Sequence, residues 1–119
     1  MSRIFVLYIK DMLENMEDAE EFIAGMEYEE FVIDKRTNRA VLRCIEIMGE
    51  AAKHVPDHIR LRFSKIPWRD IAGMRDKVIH FYFGVSLEKV WLAMKEDIPI
   101  LIPLVKDVLE KLQCEEKSN

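Results

Sequence analysis

The stretch "IFVLYIKDMLENMEDAEEFIAG", residues 4–25, decides the fold class. Ile4, Tyr8, Met12, Met16, Ala19, Phe22 and Ile23 recur three or four positions apart, the period of an amphipathic helix, and Gly25 is a natural stop. The spacing predicts a helix over about residues 4–24. Working outward, "MEYEEFVIDK" reads as a connection with about one helical turn, and Asp34 or Thr37 is placed to cap the next helix. Val41, Ile45, Met48, Ala52 and Val55 form the next apolar stripe, ended by Pro56. Gly49 and Ala51 on that helix are small enough to let another helix approach closely.

"DHIRLRF" reads as a short helix capped by Asp57, and "IPWRDIAGMRDKVIHFYFG" as a longer one with Pro67 at its first position and Gly84 at its end. Ser86 is a good N-cap for "LEKVWLAMKE"; Pro99 then marks a restart after Asp97, and Ile102, Val105, Leu109 and Leu112 carry the last stripe. No segment alternates with period two. The expectation is an all-α bundle of about five helices in a single domain spanning 1–119, with 113–119 a frayed tail.

With half its 119 residues hydrophobic, the chain can bury a core of its own. No apolar run approaches the roughly 20 residues a membrane span needs, and the N-terminus lacks a signal-peptide pattern, so the protein is expected in the cytoplasm and off the membrane. Cys44 sits in an apolar pattern and Cys114 in the charged tail, which suggests two reduced thiols rather than a disulfide or a metal site. His54 and His58 have a metal-binding spacing for a continuous helix, but Pro56 lies between them. Glu46 and Glu50, four apart, read as solvated carboxylates. Met12, Met16, Met48 and Met74 read as packing residues, as do Trp68 and Trp91.

The net charge of −4 is unevenly placed. Residues 11–30 hold nine acids and no base, whereas residues 60–77 hold six bases against Asp70 and Asp76. That basic segment runs into "RDKVIHFY", residues 75–82, which sets Arg75, Asp76, His80 and Tyr82 close together. Histidine changes charge near neutral pH and can take a proton from a ribose 2′-hydroxyl or return one to a leaving oxygen. Arginine offers a permanent planar fork to a phosphate and to the charge it gains in a transition state. Five positions on an ideal helix separate the two side chains by about 140°. Spacing alone therefore leaves open whether they form a site or the polar end of a helix. Arg60, Arg62, Lys65, Arg69 and Lys77 are candidates for RNA-backbone contacts, and the first four equally for contacts to an acidic partner or to the acidic first helix of the same fold.

"GMRDKVIHFYFGV", with "IPWRDIA" before it and "RCIEIMGEAAKHVP" upstream, resembles the HepT-like branch of the HEPN superfamily, helical ribonuclease toxins with an Arg, four to six residues, His, any residue, Tyr motif. Here the motif falls on Arg75, His80 and Tyr82, with Asp76 as the polar residue after the arginine. The resemblance implies a homodimer whose two motifs face one another across a cleft. It implies a metal-independent endoribonuclease with Arg75 and His80 at the cleavage centre, Asp76 orienting them, RNA as substrate and no cofactor. It also implies a nucleotidyltransferase antitoxin of the MNT type as partner, and Tyr82 as an acceptor of AMP from it. A different function on the same helices is a non-catalytic nucleotide- or substrate-binding partner of a nucleotidyltransferase.

Overall fold

The computed structural model describes residues 2–81 and 86–118, with the side chains of 4–76 and 86–117. The fold is all-α, with no strand among the described residues. In chain order the helices are α1 (Ser2–Ile23), α2 (Tyr28–Ile33), α3 (Lys35–His54), α4 (Asp57–Arg62), α5 (Trp68–Phe81), α6 (Leu87–Leu92) and α7 (Ile98–Ser118). A π turn, Ala93–Asp97, joins the last two. α3 is central: it packs on α1 along one side and on α5 along another, and α7 closes on α1.

The apolar stripe of α1 is offset from the predicted one. Val6, Ile9, Met12, Leu13, Met16, Ala19 and Ile23 are buried, while Ile4 and Phe22 are exposed. Period fixes that a helix has an apolar face, but α3 and α7 decide where that face begins and ends. Gly25 does end α1: its φ of 76° is a left-handed conformation that suits glycine, and Met26 N–H closes the turn onto the Ile23 carbonyl at 2.9 Å. The α3 stripe of Val41, Ile45, Met48, Ala52 and Val55 is buried throughout. Each of its valine, isoleucine and methionine side chains contributes on the order of 1.5–3 kcal/mol when fully buried.

Residues 28–33, expected as a connection with one turn, form α2. The Glu30 carboxylate accepts from the Glu27 N–H at 3.0 Å and so satisfies a donor at its start. Asp34 then caps α3, accepting from Thr37 N–H at 3.0 Å and from the Thr37 hydroxyl at 2.7 Å, and these bonds hold its carboxyl below the usual range. Asn38 is the polar side chain buried beneath this junction, donating to the carbonyls of Phe31 at 3.1 Å and Val32 at 3.3 Å. These carbonyls lie at the end of α2, where the helix supplies no donors of its own. Asn38→Ala is expected to lower unfolding free energy by about 1–3 kcal/mol in urea denaturation, because it strips a side-chain donor from the Phe31 carbonyl in a buried setting.

Three further expectations are corrected. Pro56 rather than Asp57 occupies the N-cap of α4, and Asp57 lies in its first turn. The chain does not break at Pro99. Ile98 N–H reaches the Ala93 carbonyl five residues back, and this wider turn lets the rod run on where Pro99 has no N–H for the Lys95 carbonyl. The tail expected to fray from residue 113 continues as helix to Ser118. Ser86 does cap α6, accepting from Glu88 N–H at 3.0 Å.

Met12, Met16, Met48 and Met74 are core residues. Trp68 is also buried and donates from its indole N–H to the Phe63 carbonyl at 3.1 Å, while Trp91 packs on Phe31 with ring centroids 5.1 Å apart. Burial pushes the Cys44 thiol up to about 11, with the Asp18 charge adding to the effect, whereas Cys114 is exposed. No helix among the described residues is long and apolar enough to cross a membrane.

Candidate functional site

Arg75 sits at a close approach between α3 and α5. A Cβ built on Gly49 would lie 2.9 Å from the Arg75 Cβ and 3.1 Å from both the Arg75 nitrogen and the Ile71 carbonyl oxygen. Only glycine fits there, so the small residue noted in the sequence is what brings the arginine against α3.

The next residue, Glu50, meets the Arg75 side chain. Its Oε2 is 3.0 Å from Nε of Arg75, and that oxygen is shielded from solvent. The angle does not make a well-aligned hydrogen bond, so the contact is ionic in character. Among the described residues, no acceptor bonds the terminal amino groups of Arg75. Asp76, expected to orient the motif, is exposed and makes no bond to Arg75. The reading of Glu46 and Glu50 as merely solvated is therefore corrected: Glu50 faces Arg75, and Glu46 pairs with Arg43 at 3.0 Å.

His54 lies one turn beyond Glu50. Its Nδ1 is 2.8 Å from the Glu50 carbonyl oxygen; that oxygen only accepts, so Nδ1 carries the hydrogen and Nε2 is the acceptor of the neutral ring. The imidazole packs against Tyr8 of α1, ring centroids 5.2 Å apart. His58 instead meets Phe5 edge-on at 5.8 Å. Tyr8, Asp11, Arg43, Glu50, His54 and Arg75 all line one cavity of about 260 Å³ between α1, α3 and α5. Its cations face carboxylates, so a phosphate entering here meets a balanced surface rather than a bare positive funnel.

The basic residues ahead of the motif divide into two groups. Arg60 donates to the carbonyls of Val55 at 3.0 Å, Ala52 at 2.8 Å and Lys53 at 3.1 Å, and so closes the C-terminal end of α3. Arg62 makes a two-pronged contact with Glu115 of α7, with Nη1 to Oε1 at 2.9 Å, and lies over the Phe63 ring. The hydrogen bonds of that pair hold the Glu115 carboxyl below its ordinary range and raise Arg62. Lys65 and Arg69 make no hydrogen bond or ion pair among the described residues. They border a larger cavity of about 540 Å³ between α5 and α7. The expected backbone-tracking stripe is thus drawn apart, with two of its arginines bonded within the fold. The side chains of Lys77 and His80, and the whole of Tyr82, lie outside the described residues; the backbone of His80 is in α5.

Glu50, Tyr8 and His54 were not legible as neighbours of Arg75. The signal that pointed toward Glu50 was its position beside Gly49 on a helix expected to be closely approached by another.

The family model described as "Ribonuclease HepT-like" matches residues 12–108. The chain is 44% identical over 113 residues to the "Probable ribonuclease HepT" of Thermococcus cleftensis, covering 95% of this chain and 99% of that one. It is 39% identical over 112 residues to an RNase-named protein of Methanocaldococcus jannaschii, covering 94% and 93% respectively. An RNase-named protein of Caldanaerobacter subterraneus is 43% identical over 104 residues, covering 87% and 93%. No solved structure matches the chain.

Proposed function

Since the chain belongs to the HepT-like ribonuclease family of the HEPN superfamily, we propose that it is a metal-independent endoribonuclease acting on single-stranded RNA, with Arg75 and His80 as its catalytic residues. The observation that carries this reading is the setting of Arg75. A guanidinium is held at a cavity by α5, the helix whose sequence carries His80 five residues on, so one helix brings a phosphate-binding group and a proton carrier to the proposed site.

His80 takes the proton of a ribose 2′-hydroxyl, whose oxygen attacks the adjacent phosphorus. The P–O5′ bond breaks, the proton taken up by His80 is returned to the leaving 5′-oxygen, and a 2′,3′-cyclic phosphate remains. Arg75 stabilises the negative charge that builds on the phosphoryl oxygens. The 140° between Arg75 and His80 on one ideal helix favours a site completed by a second copy, with two motifs facing across a homodimer cleft. Asp76, exposed on α5 next to Arg75, is the residue we assign to orienting the pair in that cleft. Lys65, Arg69 and Lys77 extend the phosphate contacts.

The protein acts as the toxin of a pair whose antitoxin is an MNT-type nucleotidyltransferase. Transfer of AMP to Tyr82 adds bulk and negative charge at the mouth of the site and so repels RNA. Pure protein incubated with a labelled single-stranded RNA pool is expected to cleave it equally with and without EDTA, and to sediment at twice its 14.1 kDa chain mass. Cleavage that requires added metal contradicts the mechanism, and a monomer that cleaves at full rate contradicts the shared cleft.

A further inference from the structure

We infer that Glu50 is the positioning residue for Arg75, a role that rests on the ribonuclease reading and goes beyond it by naming what aims the phosphate-binding fork. An arginine side chain has many rotamers, and a site in which it must find the right one on binding loses both affinity and rate. Here two adjacent residues of α3 remove that freedom. Gly49 admits the backbone of Arg75 to contact, which fixes where the side chain starts. Glu50 faces Nε partway along it, at 3.0 Å, and its charge draws the guanidinium toward α3. Engaging Nε leaves both terminal amino groups without an acceptor among the described residues, in the forked arrangement that matches two phosphate oxygens.

Glu50 is itself held from behind. Its carbonyl accepts from His54 Nδ1, and Oε1 of its carboxylate lies 3.8 Å from the same nitrogen. The pair is half-exposed, with side-chain exposures of 32% for Arg75 and 45% for Glu50, so its electrostatic contribution to folding is small and its geometric consequence is the larger one. Asp76 does not perform this task within the protomer, being exposed and out of contact with Arg75.

Positioning and simple electrostatics predict opposite changes. Removing a carboxylate from beside Arg75 strengthens attraction for a polyanion, so KM for RNA should fall or stay level. A mis-aimed guanidinium at the same time loses transition-state stabilisation, so kcat should fall. The experiment measures kcat, KM and the thermal midpoint of Glu50→Ala and Glu50→Gln against wild type on one labelled RNA. Glu50→Ala is expected to lower kcat by roughly ten- to a hundred-fold without raising KM. Glu50→Gln, which keeps the size but removes the charge, is expected to lose kcat to a comparable degree because the contact is ionic; it also carries the test should the alanine variant fold poorly. Wild-type kcat in both variants overturns the inference, as does a loss of activity that only tracks loss of folded protein. A rise in kcat/KM through a higher kcat overturns it too, because Glu50 would then be a brake on Arg75. In all three cases an active wild type leaves the ribonuclease reading standing. A wild-type chain that does not cleave RNA removes that reading and the inference with it.

Discussion

Replacing His80 with alanine is expected to lower the single-turnover rate of RNA cleavage by roughly a hundred- to ten-thousand-fold, the range for loss of a positioned general acid or base. The size reflects what the proposed site contains. Arg75 remains permanently charged and cannot serve as a base near neutral pH, so it stabilises charge but moves no proton. No other group of the motif is an imidazole, since Asp76 is a carboxylate and Tyr82 a phenol; the His54 imidazole at the Arg75 cavity is tied through Nδ1 to the Glu50 carbonyl. The variant is expected to keep the sedimentation mass and the thermal midpoint of the wild type, which separates lost chemistry from lost structure. Tyr82→Phe is the companion. Under the proposed modification it should retain cleavage and lose the capacity to accept AMP, since the phenolic oxygen is the acceptor proposed. His80→Ala cleaving at the wild-type rate would remove His80 from the reaction.

The second large effect is expected from a single methyl group. Gly49→Ala places a Cβ 2.9 Å from the Arg75 Cβ and 3.1 Å from two backbone atoms of α5. Flexible side-chain ends can move aside, but here the obstacles are a Cβ and backbone, so α3 and α5 must separate. Overpacking of this kind costs about 1–3 kcal/mol. The helix propensity gained on losing a glycine returns up to about 1 kcal/mol, so a net loss of up to about 2 kcal/mol in urea denaturation is the expected result. Cleavage should fall further than stability does, because the displaced helix carries Arg75 and His80 with it.

Gly73→Ala on α5 is the internal contrast. A Cβ there meets nothing within 4 Å, so the same substitution should be neutral or stabilising by up to about 1 kcal/mol. A Gly49→Ala protein as stable and active as wild type would show that the close contact is not what holds the arginine.

Much of the fold was legible because burial on α3 follows helical period closely, and because Gly25, Asp34 and Ser86 carry their turn and cap chemistry in their own side chains or lack of one. What was misread depends on neighbours. Ile4 and Phe22 fit the period of α1 but lie at the edges of what α3 and α7 cover, so water reaches them. Pro99 normally signals a break, yet a single π turn absorbs its missing N–H, and local preference cannot foresee that adjustment.

The site was legible to a different degree. Gly49 stood out as a place of close approach, and the structure supplies its partner as Arg75. Glu50 looked like any acidic residue on a helix surface, since nothing local distinguishes a solvated carboxylate from one that α5 has been brought against. Arg60 and Arg62 counted as available positive charge, whereas one closes the end of α3 and the other ties α4 to α7 through Glu115. Charge is additive along a sequence, but its availability is decided by tertiary bonds.

The most direct test of metal-free chemistry at Arg75 and His80 uses a defined single-stranded RNA that the protein cuts at one position, prepared with and without a single 2′-deoxy nucleotide immediately 5′ of the scissile phosphate, and incubated in EDTA. The all-ribose strand is expected to be cut to a fragment ending in a 2′,3′-cyclic phosphate, while the 2′-deoxy strand stays intact at that position. Failure to cut either strand in EDTA, by protein whose mass excludes AMP on Tyr82, would contradict the ribonuclease mechanism and favour a non-catalytic binding partner of a nucleotidyltransferase.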